Sequence, residues 1–183
     1  AEVRDIDNVA AEIVTSAFTA SGQRCTAISR VIVLPEVREE LEAALVRHAS
    51  TIVVGHGLEP GTVMGPVVDR AARDRALEAV TVARNAGARV LLGEDGSART
   101  DGDGGYFVAP TIVTDVAPGT PLAVEEVFAP VLAVIPVSDL DEAIAVANET
   151  AYGLTASVFA DNAYTARRAA MASRTGMVHI NHG

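Results

Sequence analysis

The chain predicts an α/β fold: a mostly parallel sheet with helices on both faces. Three observations carry this expectation. Amphipathic helical segments alternate with short β-branched apolar runs along the 183 residues. The connections between those runs are long enough to hold a helix, as parallel crossovers require. Several runs are apolar at consecutive rather than alternate positions, the pattern of a strand covered on both faces.

Each element follows from local chemistry. From Ile6, apolar residues recur at Val9, Ala10, Ile13 and Ala17, one face of a helix that Asp5 can cap and Gly22 can end. Val31-Ile32-Val33-Leu34, stopped by Pro35, reads as a buried strand. Val37, Leu41, Ala44, Leu45 and His48 line a second helix. A third begins near Asp69, with Ala72, Ala76, Ala79, Val80 and Ala83 on one side and Gly87 beyond its end. A strand is expected over Arg89 to Leu92, then an acidic glycine-rich stretch from Gly93 to Gly105.

Short extended pieces are expected at 106–108 and 111–113, and a strongly apolar strand from Leu132 to Val137. Ser138-Asp139-Leu140-Asp141 has the form of a capped helix start. Leu140, Ala143, Ile144 and Ala147 are that helix's expected buried face. Strands over Thr155–Ala160 and Met177–Ile180 flank a helix from about Asn162. With no internal repeat and no long linker, residues 1–183 are expected to form a single domain. Both ends look like cuts: the chain opens almost directly into a helix and stops just after a strand.

Composition excludes several classes. A formal net charge of −10 would repel nucleic acid and anionic membranes. Aromatics at 4% offer no base-stacking platform, and no apolar run reaches the ~20 residues of a membrane span. The polar N-terminus lacks the form of a secretory signal, and a single cysteine cannot form an internal disulfide. A cytoplasmic protein is expected, without nucleic-acid or membrane partners. His48 reads as core or edge and His56 as loop. His179 and His182 have no Cys or carboxylate at ligand spacing, so no metal site is expected.

Cys25 stands in Ser21-Gly22-Gln23-Arg24-Cys25-Thr26-Ala27, between an amphipathic helix and a buried strand. That is where an α/β protein places its site. Arg24 would favour the thiolate if its guanidinium points toward the sulfur. A lone cysteine more often behaves as a small buried hydrophobe, so its surroundings alone make Cys25 only a candidate.

The segment G-Q-R-C-T-A, however, resembles the nucleophile motif of the aldehyde dehydrogenase superfamily. Glu125-Glu126-Val127-Phe128-Ala129-Pro130-Val131 resembles that family's E-E-x-F-G-P-x motif. Met64-Gly65-Pro66, Gly105 to Thr111, Tyr152 to Ala156 and Gly176 to Asn181 extend the match through the chain, in the family's order.

The resemblance implies that Cys25 attacks an aldehyde carbonyl and passes through a thiohemiacetal and a thioester to a carboxylic acid, with NAD or NADP taking the hydride. Its backbone N–H would be one oxyanion-hole donor. Glu126 resembles the carboxylate that accepts from the nicotinamide ribose hydroxyls, and Phe128 the aromatic bordering the nicotinamide ring. Arg24, directly before the nucleophile, resembles relatives that oxidise semialdehydes. A guanidinium can bind their distal carboxylate, or it can face a neighbouring acidic side chain instead.

The resemblance also implies absences. The family's general-base glutamate and oxyanion asparagine lie upstream of the nucleophile motif, outside these residues. So do the dinucleotide-binding half and a closing loop after Gly183. The isolated chain is therefore expected to be inactive, and the full-length protein to be a homo-oligomer acting on a small-molecule aldehyde. Gly102-Asp103-Gly104-Gly105 is acidic and not a phosphate loop. Ala129 replaces the family's usual glycine, and Ala72 and Arg75 do not reproduce the Gln and Lys of some relatives, so neither takes a cofactor role. A non-catalytic remnant and an acylating dehydrogenase are the competing readings.

Overall fold

The computed structural model describes Val3 and residues 5–93 and 105–182. Most of the acidic glycine-rich stretch lies outside the described residues.

Helix α1 (Ile6–Phe18) starts where Asp5 accepts a hydrogen bond from Asn8 N (3.0 Å) and buries Ile6, Ala10, Ile13, Val14, Ala17 and Phe18. Strand β1 (Arg30–Val33) runs into α2 (Pro35–Ala49), whose first residue is the proline that stops the strand. Asp69 caps α3 (Arg70–Asn85) through Ala72 N at 2.7 Å. Next come β2 (Arg89–Leu92), β3 (Thr111–Thr114), a four-residue helix α4 (Pro121–Val124) and β4 (Val131–Pro136). Helix α5 (Leu140–Ala147), β5 (Thr155–Val158), α6 (Ala163–Ala172) and β6 (Met177–Ile180) complete the order. At α5, Asp139 accepts from Glu142 N, the capped start that the sequence predicts, and Glu142 in turn accepts from Ser138 N.

Among the described residues the strands form two sheets. The larger has the order β1-β4-β3-β2, with β4 parallel to both β1 and β3. Along β4 successive side chains serve opposite faces. Leu132 and Val134 pack with Val31, Val33, Ile112 and the buried faces of α1 and α2. Val131, Ala133 and Ile135 pack with Val113 and residues of α3, α4 and α5. Helices on both faces explain why the strand reads as an unbroken apolar run.

Two features add detail to the mostly parallel α/β sheet, and two helix expectations need correction. Strand β2 is antiparallel to β3 and sits at the sheet's edge, with a register irregularity between Val90 and Leu92; no described helix separates the two strands, so nothing enforces a parallel crossover. Strands β5 and β6 pair with each other in a separate parallel sheet, with α6 as their crossover. Helix α1 ends at Phe18 rather than at Gly22, because a 3-10 turn (Thr19–Gly22) intervenes. On α5 only Val146 is buried; Leu140, Ala143, Ile144 and Ala147 line a cleft between β1 and β5.

At the far end of the larger sheet, Arg38 of α2 pairs with Glu42 and with Asp115, just after β3. Arg89 of β2 reaches the same Asp115 carboxylate at 2.5 Å. These two guanidiniums hold the Asp115 carboxyl below its ordinary value of 3.8, the Arg89 hydrogen bond contributing most. None of the described helices is long and apolar enough to cross a membrane.

Candidate active site

The Cys25 segment is shaped by three successive residues in the left-handed region: Ala20 (φ 55°), Ser21 (φ 58°) and Gly22 (φ 66°). For the first two, which carry a Cβ, that conformation costs of order 1–2 kcal/mol each. Tertiary contacts hold it. Buried Ser21 donates through Oγ to Gly65 O at 2.8 Å, and Gln23 Oε1 accepts from Val68 N at 3.1 Å. The loop Gly65–Val68 thus grips the turn from one side. A backbone bond from Ala27 N to Arg24 O then closes a tight turn that presents Cys25 with its side chain exposed. The buried-hydrophobe alternative for Cys25 is thereby set aside.

The second arm is the segment between α4 and β4. Pro121 opens α4, and Glu125 N closes its only turn on Pro121 O at 2.8 Å. Glu125 and Glu126 are then exposed, and Phe128 is left-handed (φ 56°) and 38% exposed. Ala129 is buried at 6% exposure, which hides the methyl group that replaces the family's usual glycine. The two arms meet at Gly22. A Cβ there would lie 2.7 Å from the carbonyl carbon of Ala129 and closer still to its oxygen, so only glycine fits.

Arg24, Cys25 and Glu126 line one cleft of about 710 Å³, which also runs between the facing strands β1 and β5. Phe128 is not among its lining residues, although it follows Glu126 by two positions. Among the described residues the exposed Arg24 guanidinium has no acidic partner. Among the described residues no three His, Cys, Asp or Glu side chains converge as metal ligands. His179 reaches the cleft and stacks on His182 with ring centroids 5.7 Å apart. His48, at the edge of α2, pairs with Asp7 at 2.9 Å.

Chemically, this arrangement offers an exposed thiol, a backbone turn that can direct N–H groups toward an adduct on it, a cation one residue away, and an acceptor-only carboxylate in the same cleft. No periodicity or motif marks Ser21, Gln23, Gly65 or Val68 as supports of the Cys25 turn. Only the polar character of Ser21 beside Gly22 hinted at a special turn.

Residues 1–183 match the model of the aldehyde dehydrogenase family along their whole length. A 1-pyrroline-5-carboxylate dehydrogenase from Bacillus cytotoxicus is 38% identical over 98% of the chain and 34% of its own length. Malonate-semialdehyde dehydrogenase 2 from Geobacillus thermodenitrificans is 36% identical over 97% of the chain and 36% of its own length. The chain thus spans about a third of the length of these curated relatives. Among solved structures, an indole-3-acetaldehyde dehydrogenase with NAD+ superposes with a TM-score of 0.94 at 32% identity, over 100% of this chain and 36% of that one. Aldehyde dehydrogenase C from Pseudomonas syringae, a C291A mutant with NAD+ and octanal, gives 0.89 at 36% identity over 98% of this chain and 37% of its own. Matched by the family model over its whole length, this chain belongs to the aldehyde dehydrogenase family.

Proposed function

We propose that residues 1–183 form the catalytic domain of an NAD(P)-dependent aldehyde dehydrogenase, with Cys25 as nucleophile. The observation that supports it best is the exposed Cys25 turn packed, through Gly22 and Ala129, against the segment carrying Glu126 in the same cleft.

The Cys25 thiolate adds to the aldehyde carbon, forming a C–S bond and pushing the carbonyl electron pair onto oxygen. The backbone N–H of Cys25 stabilises that oxyanion. When bound, the nicotinamide dinucleotide supplies the acceptor for the hydride that leaves this carbon. The oxyanion electrons then re-form the carbonyl, leaving a thioester on Cys25. Water adds to the thioester, and the C–S bond breaks to give a carboxylic acid and the free thiol. The cleft fits the cofactor in its donor set: Glu126 is an exposed carboxylate, an acceptor suited to a ribose diol. Phe128, exposed two residues on, is proposed to border the nicotinamide ring.

Arg24 refines the substrate. It is exposed, beside the nucleophile and free of an acidic partner among the described residues, as a receptor for a distal carboxylate should be. Two relatives are named for carboxylate-bearing substrates, a pyrroline-carboxylate and a malonate semialdehyde. A carboxylate-bearing semialdehyde is therefore the proposed substrate class. The full-length enzyme is proposed to act in the cytoplasm as a homo-oligomer, with the general base supplied from outside residues 1–183. The test is aldehyde-dependent NAD(P) reduction by the full-length enzyme, which Cys25→Ala should abolish.

A further inference from the structure

We propose that Arg30 is a positioning residue that holds the Glu126 segment in register with the Cys25 segment. Arg30 is the first residue of β1, five positions after Cys25. Its half-buried guanidinium leaves the strand and donates to three backbone carbonyls: Ala123 O at 2.9 Å, Ala147 O at 3.4 Å and Val146 O at 3.5 Å. Ala123 lies in the last turn of α4, and Val146 and Ala147 in the last turn of α5. Carbonyls at helix ends lack intrahelical donors and carry the negative end of the helix dipole, so a cation is their natural partner. Arg30 thus ties both helix ends to the strand that leads directly from the nucleophile.

Helix α4 has four residues and cannot hold its place by propensity alone. A second tether acts on the same turn: Thr150 Oγ1 donates to Val124 O at 2.9 Å. Glu126 begins two residues later. The segment Glu125–Pro130 is therefore fixed at both ends, by Arg30 and Thr150 at its start and by the Gly22 contact with Ala129 near its finish. Arg30, Thr150 and Glu126 all line the cleft that holds Cys25. Burial disfavours the charge on Arg30 and nearby Glu149 partly restores it, so the guanidinium is held here against a desolvation cost.

The proposal rests on Glu126 as the ribose acceptor, and the experiment separates the two claims. In the full-length enzyme, Arg30→Met keeps the aliphatic stem and removes all three bonds. It should raise the KM for NAD(P) about tenfold, while kcat at saturating cofactor and alkylation of Cys25 by iodoacetamide without cofactor change less than about threefold. Arg30→Lys, which keeps one charged donor, should recover part of the loss. Combining Arg30→Met with Glu126→Gln should cost little more than Glu126→Gln alone.

An unchanged KM in Arg30→Met overturns the latch whatever Glu126→Gln does. Parallel losses in kcat, alkylation and KM would overturn it too, since they describe a generally weakened fold. An unchanged KM in Glu126→Gln instead overturns the ribose role of Glu126. If Arg30→Met does not fold, Thr150→Val removes the neighbouring tether; it should raise the same KM about threefold, and an unchanged value there counts against the latch.

Discussion

Gly22 and Ala129 meet backbone to backbone, and through that contact the Cys25 turn is set against the segment that carries Glu126. A Cβ at position 22 would fall 2.7 Å from the Ala129 carbonyl carbon and 3.0 Å from Ala17 O, and Gly22 itself is at φ 66°. Neither neighbour is a side-chain tip that could swing away. Two regions distant in the chain thus share one glycine as their point of closest approach.

Gly22→Ala should therefore destabilise the fold by about 2–4 kcal/mol, the sum of a backbone clash and a left-handed alanine. Chemical denaturation of wild type and variant measures this. A variant within about 0.5 kcal/mol of wild type would show that the contact relaxes at no cost.

Asp115 gives a pH prediction. Its carboxyl is held below the ordinary value of 3.8, first by Arg89 and also by Arg38. A depressed folded-state pKa contributes stability above the unfolded pKa, and that contribution disappears as pH falls through the folded value. Asp115→Asn should lower stability at neutral pH and make the acid side of the stability curve shallower below about pH 4. Asparagine tolerates the left-handed backbone at this position (φ 57°), so the variant tests the charge rather than the turn. Denaturation midpoints for both proteins, measured from neutral to acid pH, should converge at the acid end; a constant offset would contradict the assignment.

Arg24→Ala in the full-length enzyme should reduce kcat/KM for a carboxylate-bearing semialdehyde at least about tenfold more than for a neutral aldehyde of similar length. Equal losses for the two substrates would place Arg24 outside substrate recognition.

The isolated 183-residue chain should not reduce NAD(P) with an aldehyde above the rate of its own Cys25→Ala variant. It spans about a third of its relatives' length, and the general base is proposed to come from outside these residues. Cysteine-dependent turnover by the isolated chain would contradict this.

Four helix starts were legible in the sequence because each carries its own chemistry: Asp5, Asp69, Asp139 and Asn162 all cap as their side chains predict. The unbroken apolar runs at β1 and β4 likewise announced strands covered on both faces. Other features have no local signal. Helix α4 is shorter than the period that would reveal it, the four residues of β2 are too few to show a strand's direction by their pattern, and which strands share a sheet is set by long-range packing, so antiparallel β2 and the separate β5–β6 sheet leave no local signal.

The site divides in the same way. Arg24, Cys25 and Glu126 were legible as motif residues, and the fold brings them to one cleft. Their supports were not. Ser21 with Gly65, Arg30 with Ala123 and Gly22 with Ala129 are pairings between distant parts of the chain. Phe128 shows both sides: a recognisable motif residue whose left-handed backbone no motif could predict.

Cys25 is proposed to carry the acyl intermediate. The most direct test is to quench the full-length enzyme during turnover of an aldehyde with NAD(P) and weigh the peptide containing Cys25. That peptide should gain the mass of the substrate's acyl group, and the adduct should be labile to hydroxylamine. An acyl group on another residue, or turnover that survives Cys25→Ala, would show that Cys25 is not the nucleophile.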